Sequence, residues 1–434
     1  MTDTPPSPSG YPVVGHTPDY VSDPFGFIDR ATAEAGNLFH ASILGVGDLY
    51  VLAHPDHLER FLVRDRDALT KSEGFTVAFG EGVLSSTGEA WERQREALDS
   101  FFYPAKIRSY ADEMVTGTVE RTERWTEGDR LSLSTQLRSL ALENIMRTLF
   151  DRPLDLDGDQ RLRRAANDLN AWFEPSSWAL PRWVPTPARR RFKRGRATLR
   201  AEAERLIEER RNGEPGEDLL SALVEMQENS DSALSDAEIV DQVQTMLFAG
   251  HDTTGLAMTY ALYHLGRDDG LRERFHEELD AVLGDRDPTL SDVGDLDVTG
   301  RIVDESIRLY PPVHTIPRET TRPVEVNGYR IPADATVHLS LYAIHRDERF
   351  YDDPTAFRPA RWCEESAQSR GYAFAPFGAG PRICIGRRFA LLEATLVLAT
   401  IGQRFELDPQ EQLALDPAMT TQPAGDVPVV VRER

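Results

Sequence analysis

One cysteine lies in a short glycine-rich segment near the end of the chain, the loop Phe377–Gly386, which reads Phe-Gly-Ala-Gly-Pro-Arg-Ile-Cys-Ile-Gly. Arg382 stands two residues before Cys384, and an apolar stretch predicted as helix runs from Arg387 to about Arg404. Glycines let a backbone approach a flat ring closely, and amides at a helix N-terminus stabilise the negative charge of a thiolate. The segment therefore has the features of a thiolate ligand to haem iron, with an arginine placed to pair with a haem propionate.

This segment resembles the cysteine loop of the cytochrome P-450 superfamily, whose pattern is Phe-x-x-Gly-x-Arg-x-Cys-x-Gly. The fixed positions are filled here by Phe377, Gly380, Arg382, Cys384 and Gly386. The loop alone would also fit a turn around a buried structural cysteine, since free cysteine is often a small core residue. The resemblance extends from about residue 10 to the C-terminus, and it implies haem b as cofactor with Cys384 as the metal ligand.

The pattern of apolar residues predicts a mainly α-helical fold with a minor β region. Ser235 and Glu238 form a capping box, which begins a helix that could run to Leu265 or Gly266. About 30 residues at about 1.5 Å each give a rod of about 45 Å, long enough to cross a whole domain. The resemblance implies that this long central helix lies over the haem of a cytochrome P-450 fold.

Shorter elements are predicted from turn residues and apolar patterns. Asn327-Gly328 is a hairpin signal between two short strands, Val324–Val326 and Tyr329–Ile331. The other predicted elements are strands at about Leu38–Leu44, Leu49–Ala53 and Val337–Ala343, a helix near Pro55–Val63, and a helix after Thr299 that is stopped by Pro311-Pro312.

The chain of 434 residues exceeds the usual length of one domain, but no serine- or glycine-rich linker and no repeat divides it. The order of the motifs therefore favours a single haem-thiolate monooxygenase domain over residues 1–434. Its parts would be a β-containing N-terminal part at about 10–60, a helical body at about 89–310, β segments and the cysteine loop at about 313–386, and a final haem-side helix at about 386–404.

The net charge of −23 comes from 72 acidic and 49 basic residues, of which only three are lysines. Such an excess of carboxylates disfavours binding to nucleic acid, because a phosphate backbone would be repelled. An acidic surface with few lysines is typical of proteins that stay hydrated at molar salt, where repulsion between carboxylates is screened within about 3 Å. The composition therefore favours a halophilic archaeon as the source; an acidic, arginine-rich mesophilic protein is the alternative.

The targeting and redox signals of the sequence indicate a soluble, cytoplasmic protein. Two cysteines, Cys363 and Cys384, are too few for a disulfide framework and fit a reducing compartment. The N-terminal residues lack the basic and apolar regions of a signal peptide. No stretch of about 18 apolar residues could span a membrane, so the resemblance is to the soluble prokaryotic type.

The middle of the predicted central helix contains the hexad Ala249–Thr254, with the sequence Ala-Gly-His-Asp-Thr-Thr. A mid-helix glycine costs up to about 1 kcal/mol, so helix stability does not account for Gly250. The resemblance implies that Gly250 admits dioxygen, and that Asp252 and Thr253 form an acid–alcohol pair that supplies protons from solvent for oxygen activation. The alternative is an exposed aspartate and a threonine whose hydroxyl bonds to its own helix.

Glu305 and Arg308 are spaced i, i+3 on one helix face, a spacing that is also common in surface ion pairs. Residues 357–362, Phe-Arg-Pro-Ala-Arg-Trp, resemble the family's Pro-x-Arg-Trp segment. The resemblance implies a buried charge network of Glu305, Arg308 and Arg361 that braces the cysteine loop. Loss of one partner from such a network costs about 3–5 kcal/mol.

Trp91 and Arg95 are spaced i, i+4 on a predicted helix, so an indole N–H and a guanidinium could reach the same propionate. An ordinary amphipathic helix is the alternative. Arg318 matches the family's strand arginine that binds the other propionate. The haem contacts implied by the resemblance are Trp91, Arg95, Ala249, Gly250, Arg318, Phe377, Gly378, Arg382, Cys384 and Gly386.

Three segments correspond to substrate-contacting regions of the family: Glu73–Val83, Ala171–Trp183 and Val313–Ile316. Their apolar side chains indicate an apolar substrate, although such stripes are more often core. A basic run, Arg189–Arg196, is expected on a solvated helix face, with contact to a lipid surface as the alternative. The implied pocket residues are Phe75, Val77, Phe79, Trp172, Phe173, Val313 and Ile316.

The resemblance as a whole implies a haem-thiolate monooxygenase that inserts one atom of dioxygen into a small apolar substrate. The sequence has no nucleotide-binding Gly-x-Gly-x-x-Gly unit, so electrons would come from a separate donor. Arg387 and Arg388 form a basic spot that suits an acidic ferredoxin, itself served by a reductase. The alternatives are a peroxide-driven peroxygenase, a hydroperoxide-rearranging enzyme, or a non-catalytic haem sensor.

Overall fold

Helices make up most of the structure, a computed structural model that describes residues 4–154, 156–181, 183–213, 216, 218–229, 234–363 and 367–434. The helices are Thr17–Ser22, Pro24–Ala35, Pro55–Glu59, Glu73–Phe79, Gly88–Asp99, Pro104–Ser109, Ala111–Thr122, Leu133–Phe150, Leu156–Asn170, Pro175–Trp178, Pro187–Asn212, Leu219–Asn229, Asp236–Arg267, Asp269–Val282, Asp297–Leu309, Leu341–Ile344 and Arg387–Gly402. Within these described ranges, no helix is both long enough and apolar enough to cross a lipid bilayer.

In the described part of the chain, the strands form three small sheets. The five-stranded sheet has the spatial order Leu38–Ile43, Gly47–Leu52, Thr336–Ser340, Thr315–Thr320 and Leu69–Thr70. Its pairs are antiparallel except for Gly47–Leu52 with Thr336–Ser340, which are parallel. The second sheet has the order Arg130–Ser132, Pro428–Glu433 and Phe405–Pro409, and the third is the hairpin of Val324–Val326 and Tyr329–Ile331.

The mainly α fold, the central helix and the hairpin are confirmed. The central helix runs from Asp236 to Arg267, and the Ser235 hydroxyl accepts a hydrogen bond from the Glu238 N–H at 3.2 Å. The Glu238 carboxylate accepts from the Ser235 N–H at 2.8 Å, which completes the capping box. Asn327 has a φ of 50°, as a tight hairpin turn requires.

Two predicted elements are wrong in part. The strand predicted at Val337–Ala343 ends at Ser340, because the Ser340 hydroxyl accepts from the Ala343 N–H and begins a short helix. The helix predicted near Pro55–Val63 is α-helical only to Glu59 and continues as a π-helical turn. The strands Phe405–Pro409 and Pro428–Glu433 and their partner Arg130–Ser132 were not predicted. The pairing of Pro428–Glu433 with Arg130–Ser132 joins segments that are far apart in the sequence.

The predicted solvated position of the basic run Arg189–Arg196 is wrong for Arg189. The Arg189 side chain is buried and donates to backbone carbonyls. The four acceptors are the carbonyls of Ser177 at 2.5 Å, Leu180 at 2.6 Å, Pro181 at 2.6 Å and Val184 at 2.6 Å.

Glycines bring the central helix close to the helix Leu133–Phe150. A Cβ on Gly255 would lie 2.8 Å from the Cα of Arg138, and a Cβ on Gly250 would lie 2.3 Å from the Cδ1 of Ile145. Gly255 cannot take a larger residue unless the neighbouring helix moves, whereas at Gly250 the Ile145 side chain would have to shift. The central helix is therefore buried along most of its length, and it carries the candidate site at its middle.

Candidate active site

Backbone contacts determine the shape of the cysteine loop, Phe377–Gly386. The Cys384 N–H donates to the Phe377 carbonyl at 2.9 Å and closes the loop. Gly380 has a φ of +70°, and a Cβ there would lie 2.0 Å from the Leu62 carbonyl oxygen, so only glycine fits. At Gly386 a Cβ would make ordinary contacts of 3.9 Å. The close approach of the Leu62 backbone therefore explains why residue 380 is glycine. No comparable contact explains the glycine at position 386.

The Cys384 side chain is accessible, although many protein atoms surround it. That burial raises the pKa of the thiol, while the Gly386 N–H and the charges of Arg95 and Arg387 act to lower it. The helix Arg387–Gly402 begins three residues after the sulfur. A free thiol here keeps its proton, and coordination to a metal ion would remove it.

A second accessible patch lies on the central helix. Within residues 239–263, only Ala249, Gly250 and Thr253 are not fully buried. Their spacing of i, i+1 and i+4 places them on one face of the helix. The Thr253 hydroxyl donates to the Ala249 carbonyl at 2.6 Å. The hexad therefore has one partly accessible face in an otherwise buried stretch of the helix.

Asp252 lies on another side of the central helix and is completely buried. Its carboxylate lies 3.3 Å from the Nε of Arg138 and accepts hydrogen bonds from the Thr420 hydroxyl at 2.7 Å and the Gln422 amide at 3.2 Å. The alternative of an exposed aspartate is therefore wrong, and the proton-supplying role of Asp252 stays a prediction. His251, next to it, is also buried, and its Nδ1 lies 2.9 Å from the Leu247 carbonyl.

Three cations, Lys71, Arg318 and Arg382, lie close enough for their charges to act on one another, and Arg318 is the buried one. The pKa of Lys71 is lowered well below its usual value by burial, and further by the charges of Arg318 and Arg382. Burial and the charge of Arg382 lower the pKa of Arg318 to about 10. None of the three pairs with a carboxylate in the part of the chain that the structure describes. Such a cluster is a site for an anion, and Lys71 is a member that the sequence interpretation missed.

Trp91 and Arg95 have separate partners, so the prediction that they reach one common point is not supported by their positions. The Arg382 guanidinium lies 4.4 Å above the centre of the Trp91 ring and donates to the Ser86 carbonyl at 2.9 Å. Arg95 instead pairs with Asp99 at 2.9 Å and donates to the carbonyl of Ile383, in the cysteine loop, at 2.9 Å.

The predicted charge network around Glu305 is present, with Glu305 and Arg308 completely buried and Arg361 partly buried. Arg308 donates to both carboxylate oxygens of Glu305, at 2.9 Å from Nε and 2.8 Å from Nη2. Arg361 donates to Oε1 at 3.0 Å, and the Trp362 indole donates to Oε2 at 3.0 Å. The Arg358 N–H adds a further bond at 2.7 Å. The charge of this buried carboxylate is therefore fully compensated.

His345 connects this network to the cysteine loop. Arg308 donates to the His345 carbonyl at 2.7 Å, and the Ala375 N–H donates to His345 Nε2 at 3.1 Å. Because Nε2 accepts, Nδ1 carries the proton and donates to the Arg308 carbonyl at 3.2 Å. The Gly378 N–H in turn donates to the Ala375 carbonyl at 2.9 Å. No sequence pattern pointed to His345, because its partners Arg308 and Ala375 come from two segments that are distant from it in the sequence.

We expect His345 to destabilise the fold in mild acid. Burial, followed by the charge of Arg308, lowers the pKa of His345 to about 3. The unfolded state then binds the extra proton below pH ~6.5, so stability is lost as the pH falls, by about 2 kcal/mol between pH ~7 and ~5. Urea unfolding at both pH values should show a smaller loss for His345→Gln than for the wild type. Equal losses for the two proteins would contradict the prediction.

Comparison with known proteins assigns the chain to a family. The family profile for cytochrome P-450 matches residues 5–428. The chain belongs to the cytochrome P-450 family. Cyclooctat-9-en-7-ol 5-monooxygenase of Streptomyces melanosporofaciens is 32% identical over 413 residues, which cover 93% of this chain and 89% of that protein. Pentalenene oxygenase of Streptomyces avermitilis is 33% identical over 406 residues, covering 91% and 89%.

The crystal structure of the cytochrome P-450DA heme domain is similar over 99% of this chain and 97% of that chain, with a TM-score of 0.85 and 29% identity. The family and the names of its relatives make this chain a cytochrome P-450 monooxygenase, an oxidoreductase that incorporates molecular oxygen. Its cofactor is haem b with a cysteine thiolate as axial ligand.

The residues of this cytochrome P-450 fit haem b. The accessible Cys384 thiol offers a soft ligand to iron, and the accessible face of Ala249, Gly250 and Thr253 has no large side chain. The cluster of Lys71, Arg318 and Arg382 has no carboxylate partner among the described residues. The two haem propionates would neutralise its positive charge.

The predicted pocket residues are only partly where a pocket requires them. Phe79 is completely buried against Phe248, with ring centres 5.1 Å apart, so it is a core residue and the prediction is wrong for it. Phe75 is also nearly buried, 6.0 Å from Phe173. The partly exposed members are Val77, Trp172, Phe173, Val313 and Ile316. Within the segment 171–183, residue 182 lies outside the described residues.

Proposed function

We propose that this cytochrome P-450 inserts one atom of dioxygen into a small, apolar, terpene-like substrate, with electrons from a separate donor protein. The observation that carries the proposal is the accessible Cys384 thiol in its closed loop. The two Streptomyces relatives, named for cyclooctat-9-en-7-ol and pentalenene, support the substrate class. The partly exposed aromatic and aliphatic side chains near Trp172 and Val313 support an apolar substrate.

We assign the haem contacts to residues of this chain. Cys384 would ligate the iron, and the Gly386 N–H and Arg95 would stabilise the thiolate. Lys71, Arg318 and Arg382 would bind the propionates, with Trp91 packed against Arg382. The further contacts are Ala249, Gly250, Phe377 and Gly378. When bound, the haem supplies dioxygen activation, with the thiolate favouring O–O cleavage.

Asp252 and Thr253 would hold and move protons beside the accessible face of the central helix. The Thr253 hydroxyl reaches that face, whereas Asp252 is sealed by Arg138, Thr420 and Gln422. A proton that reaches Asp252 must therefore pass through its hydrogen-bond partners or follow a rotation of its side chain. Of these three partners of Asp252, Gln422 is the one that is partly exposed. Protons from solvent would therefore enter past Gln422.

Removing the Thr253 hydroxyl should lower the yield of oxygenated product per electron consumed. General acid–base catalysis contributes about 100-fold or more, so we expect product formation by Thr253→Val to fall by about that factor with dioxygen and a reductant. Reductant consumption, product and hydrogen peroxide should be measured together. The Asp252→Asn variant should show the same defect, although it also leaves Arg138 unpaired and is expected to lose stability.

Thr259→Val is the matched control. Thr259 lies on the same helix, and its hydroxyl makes the same bond, to the Gly255 carbonyl at 2.6 Å, but the residue is completely buried. It should keep the wild-type product yield. If Thr253→Val and Thr259→Val behave alike, the proposed proton role is wrong.

The same assay separates the alternative functions. A peroxide-driven or hydroperoxide-rearranging enzyme would work faster with peroxide than with dioxygen, and it would be indifferent to Thr253→Val. A non-catalytic haem sensor would form no product with either oxidant. The monooxygenase names of the relatives favour the dioxygen reaction.

We propose a ferredoxin, supplied by its reductase, as the electron donor. Arg388 is exposed and Arg387 partly exposed at the start of the helix that follows the cysteine loop, on a chain of net charge −23. A basic spot close to the thiolate side of the haem would attract an acidic donor. No part of the sequence resembles a nucleotide-binding unit that could replace the donor.

We also propose three properties of the whole chain: its domain organisation, its location in the cell and its source. Residues 1–434 would act as one monooxygenase domain, consistent with a family match over 5–428. The enzyme would be cytoplasmic. The carboxylate excess supports a halophilic source. We therefore expect the unfolding temperature to rise between low and molar KCl, because salt screens the repulsion between carboxylates. An unfolding temperature that does not rise would contradict this proposal.

A further inference from the structure

The middle strand of the five-stranded sheet, Thr336–Ser340, carries a histidine at position 338. The His338 side chain is partly accessible, although many protein atoms surround it. Neither of its ring nitrogens has a hydrogen-bond partner in the part of the chain that the structure describes. Since almost all buried polar groups in proteins are paired, His338 is a candidate for binding a ligand.

The His338 ring is neutral at neutral pH. Burial, followed by the charge of His314, lowers the pKa of His338 to about 4. A neutral imidazole has a proton on one nitrogen and a lone pair on the other, so it donates one hydrogen bond and accepts one. The ring therefore offers both kinds of hydrogen bond and carries no charge that would require a counter-ion.

His314 is a second neutral imidazole, close enough for its charge to act on His338. Burial lowers the pKa of His314 as well. Its Nε2 lies 3.0 Å from the Ala418 carbonyl, and a carbonyl only accepts, so Nε2 carries the proton. The Nδ1 of His314 is therefore an acceptor, and no donor among the described residues binds to it.

The register of the sheet places His338 beside the candidate haem site. His338 lies directly opposite Pro317 of the neighbouring strand. On either side of Pro317 are Ile316, whose Cδ1 would lie 3.7 Å from a Cβ on Gly378 of the cysteine loop, and Arg318 of the cation cluster. Because neighbouring strands are about 4.8 Å apart, the backbone of His338 lies about one strand spacing from that segment.

His338 is a polar group on an apolar part of its sheet face. Side chains alternate along a strand, so Ile316 and Arg318 are on one face of the sheet and Pro317 and His338 are on the other. On the other side of the strand, the residue opposite His338 is Val51. A mainly apolar surface with one well-placed polar group is typical of a site for a small organic molecule.

The two histidines together match a hydroxyl group. A hydroxyl can accept a hydrogen bond from the N–H of His338 and donate one to the bare Nδ1 of His314. A carbonyl or a carboxylate only accepts, and a protonated amine only donates, so each of these would use one of the two kinds of bond and leave the other unmade. An alcohol is therefore the best-matched ligand chemistry.

We propose that His338, together with His314, binds a hydroxyl group of the substrate, so that the enzyme prefers a terpene-like alcohol to its parent hydrocarbon. This inference rests on the proposed function and names a polar group on the substrate. A hydrocarbon that covered His338 would leave its ring nitrogens unpaired, which is unfavourable. A site that binds a hydroxyl therefore discriminates strongly against the analogue that lacks it.

Binding of matched ligand pairs to the haem-loaded, full-length chain tests the proposal. The pairs are borneol with its parent hydrocarbon bornane, and cedrol with its parent hydrocarbon cedrane. Each ligand is titrated while the Soret absorption is recorded. The wild type should bind the alcohol of at least one pair about tenfold more tightly than the hydrocarbon. His338→Phe should bind the two members of that pair equally, because phenylalanine has no hydrogen-bonding group.

Two further variants separate recognition of the hydroxyl from a change in structure. His338→Gln should retain part of the preference, because an amide side chain also donates and accepts. His40→Phe is the matched control, since His40 lies in the same sheet but its Nδ1 is 2.8 Å from the Pro5 carbonyl. It should keep the wild-type ratio of the two dissociation constants.

Equal binding of alcohol and hydrocarbon by the wild type would overturn the inference, and so would a preference that persists in His338→Phe. If His338→Gln and His40→Phe lose as much preference as His338→Phe, the loss is structural and the inference is wrong. In each of these cases the proposed function still stands. If no member of either pair changes the Soret absorption, the substrate class of the proposed function is wrong, and the inference fails with it.

Discussion

Cys384→Ser should abolish oxygenation while the protein still folds. A serine hydroxyl keeps the size of the side chain, and the Cys384 N–H would still donate to the Phe377 carbonyl. The alcohol is a much poorer electron donor to iron than a thiolate, and thiolate donation favours O–O cleavage. We therefore expect product formation to fall at least about 100-fold, which corresponds to about 2.7 kcal/mol of activation free energy.

The measurement is the absorption spectrum of the reduced, carbon monoxide-bound protein together with the rate of product formation. The wild type should show the strongly red-shifted Soret band of a thiolate-ligated haem, and Cys384→Ser should lack it. Cys363→Ser is the matched control, since Cys363 is the other free cysteine and is exposed on the surface. If Cys363→Ser loses the band, or if Cys384→Ser keeps it, Cys384 is not the ligand of the haem iron.

Glu305→Gln should give a protein that does not retain haem. The neutral amide leaves Arg308 and Arg361 buried with no counter-ion, and removal of one partner from a buried ion pair costs about 3–5 kcal/mol. The network reaches the cysteine loop through His345 and Ala375, so the loss acts on the position of the sulfur. We expect a large fall in unfolding free energy and in the ratio of haem absorbance to protein.

Glu202→Gln distinguishes a general loss of stability from a specific loss of haem. Glu202 is also a buried carboxylate that binds two arginines, Arg161 and Arg205, but it lies on the helix Pro187–Asn212. It should lower stability and keep the haem ratio of the wild type. If both variants lose haem to the same extent at equal stability, the Glu305 network has no special link to the cysteine loop.

Local patterns predicted the elements whose signals come from neighbouring residues. The capping box of Ser235 and Glu238 and the hairpin at Asn327 were predicted because each depends on side chains within four residues. The i, i+3 spacing of Glu305 and Arg308 is also local, but their burial was predicted from the resemblance of residues 357–362 to a family segment and not from the spacing. Short-range hydrogen bonds and helix spacing can be read directly from the order of residues.

Long-range contacts account for what the sequence interpretation missed or misplaced. Lys71 joins Arg318 and Arg382 from a segment more than 200 residues away, and no spacing rule connects them. The hydrogen bonds from the C-terminal residues Thr420 and Gln422 to Asp252 could not be predicted from the sequence either. Only the packed fold decides which side of a helix those residues cover.

The sequence by itself determined the chemistry of this protein: a thiol in a glycine-rich loop, an acid–alcohol pair on a long helix, and a carboxylate beside two arginines. These are properties of residue types at short spacing. The tertiary structure alone decided that Lys71 joins Arg318 and Arg382, that His345 connects the charge network to the cysteine loop, and that Asp252 is buried. Burial and charge neighbours depend on contacts between distant segments, and these contacts exist only when the whole core has packed.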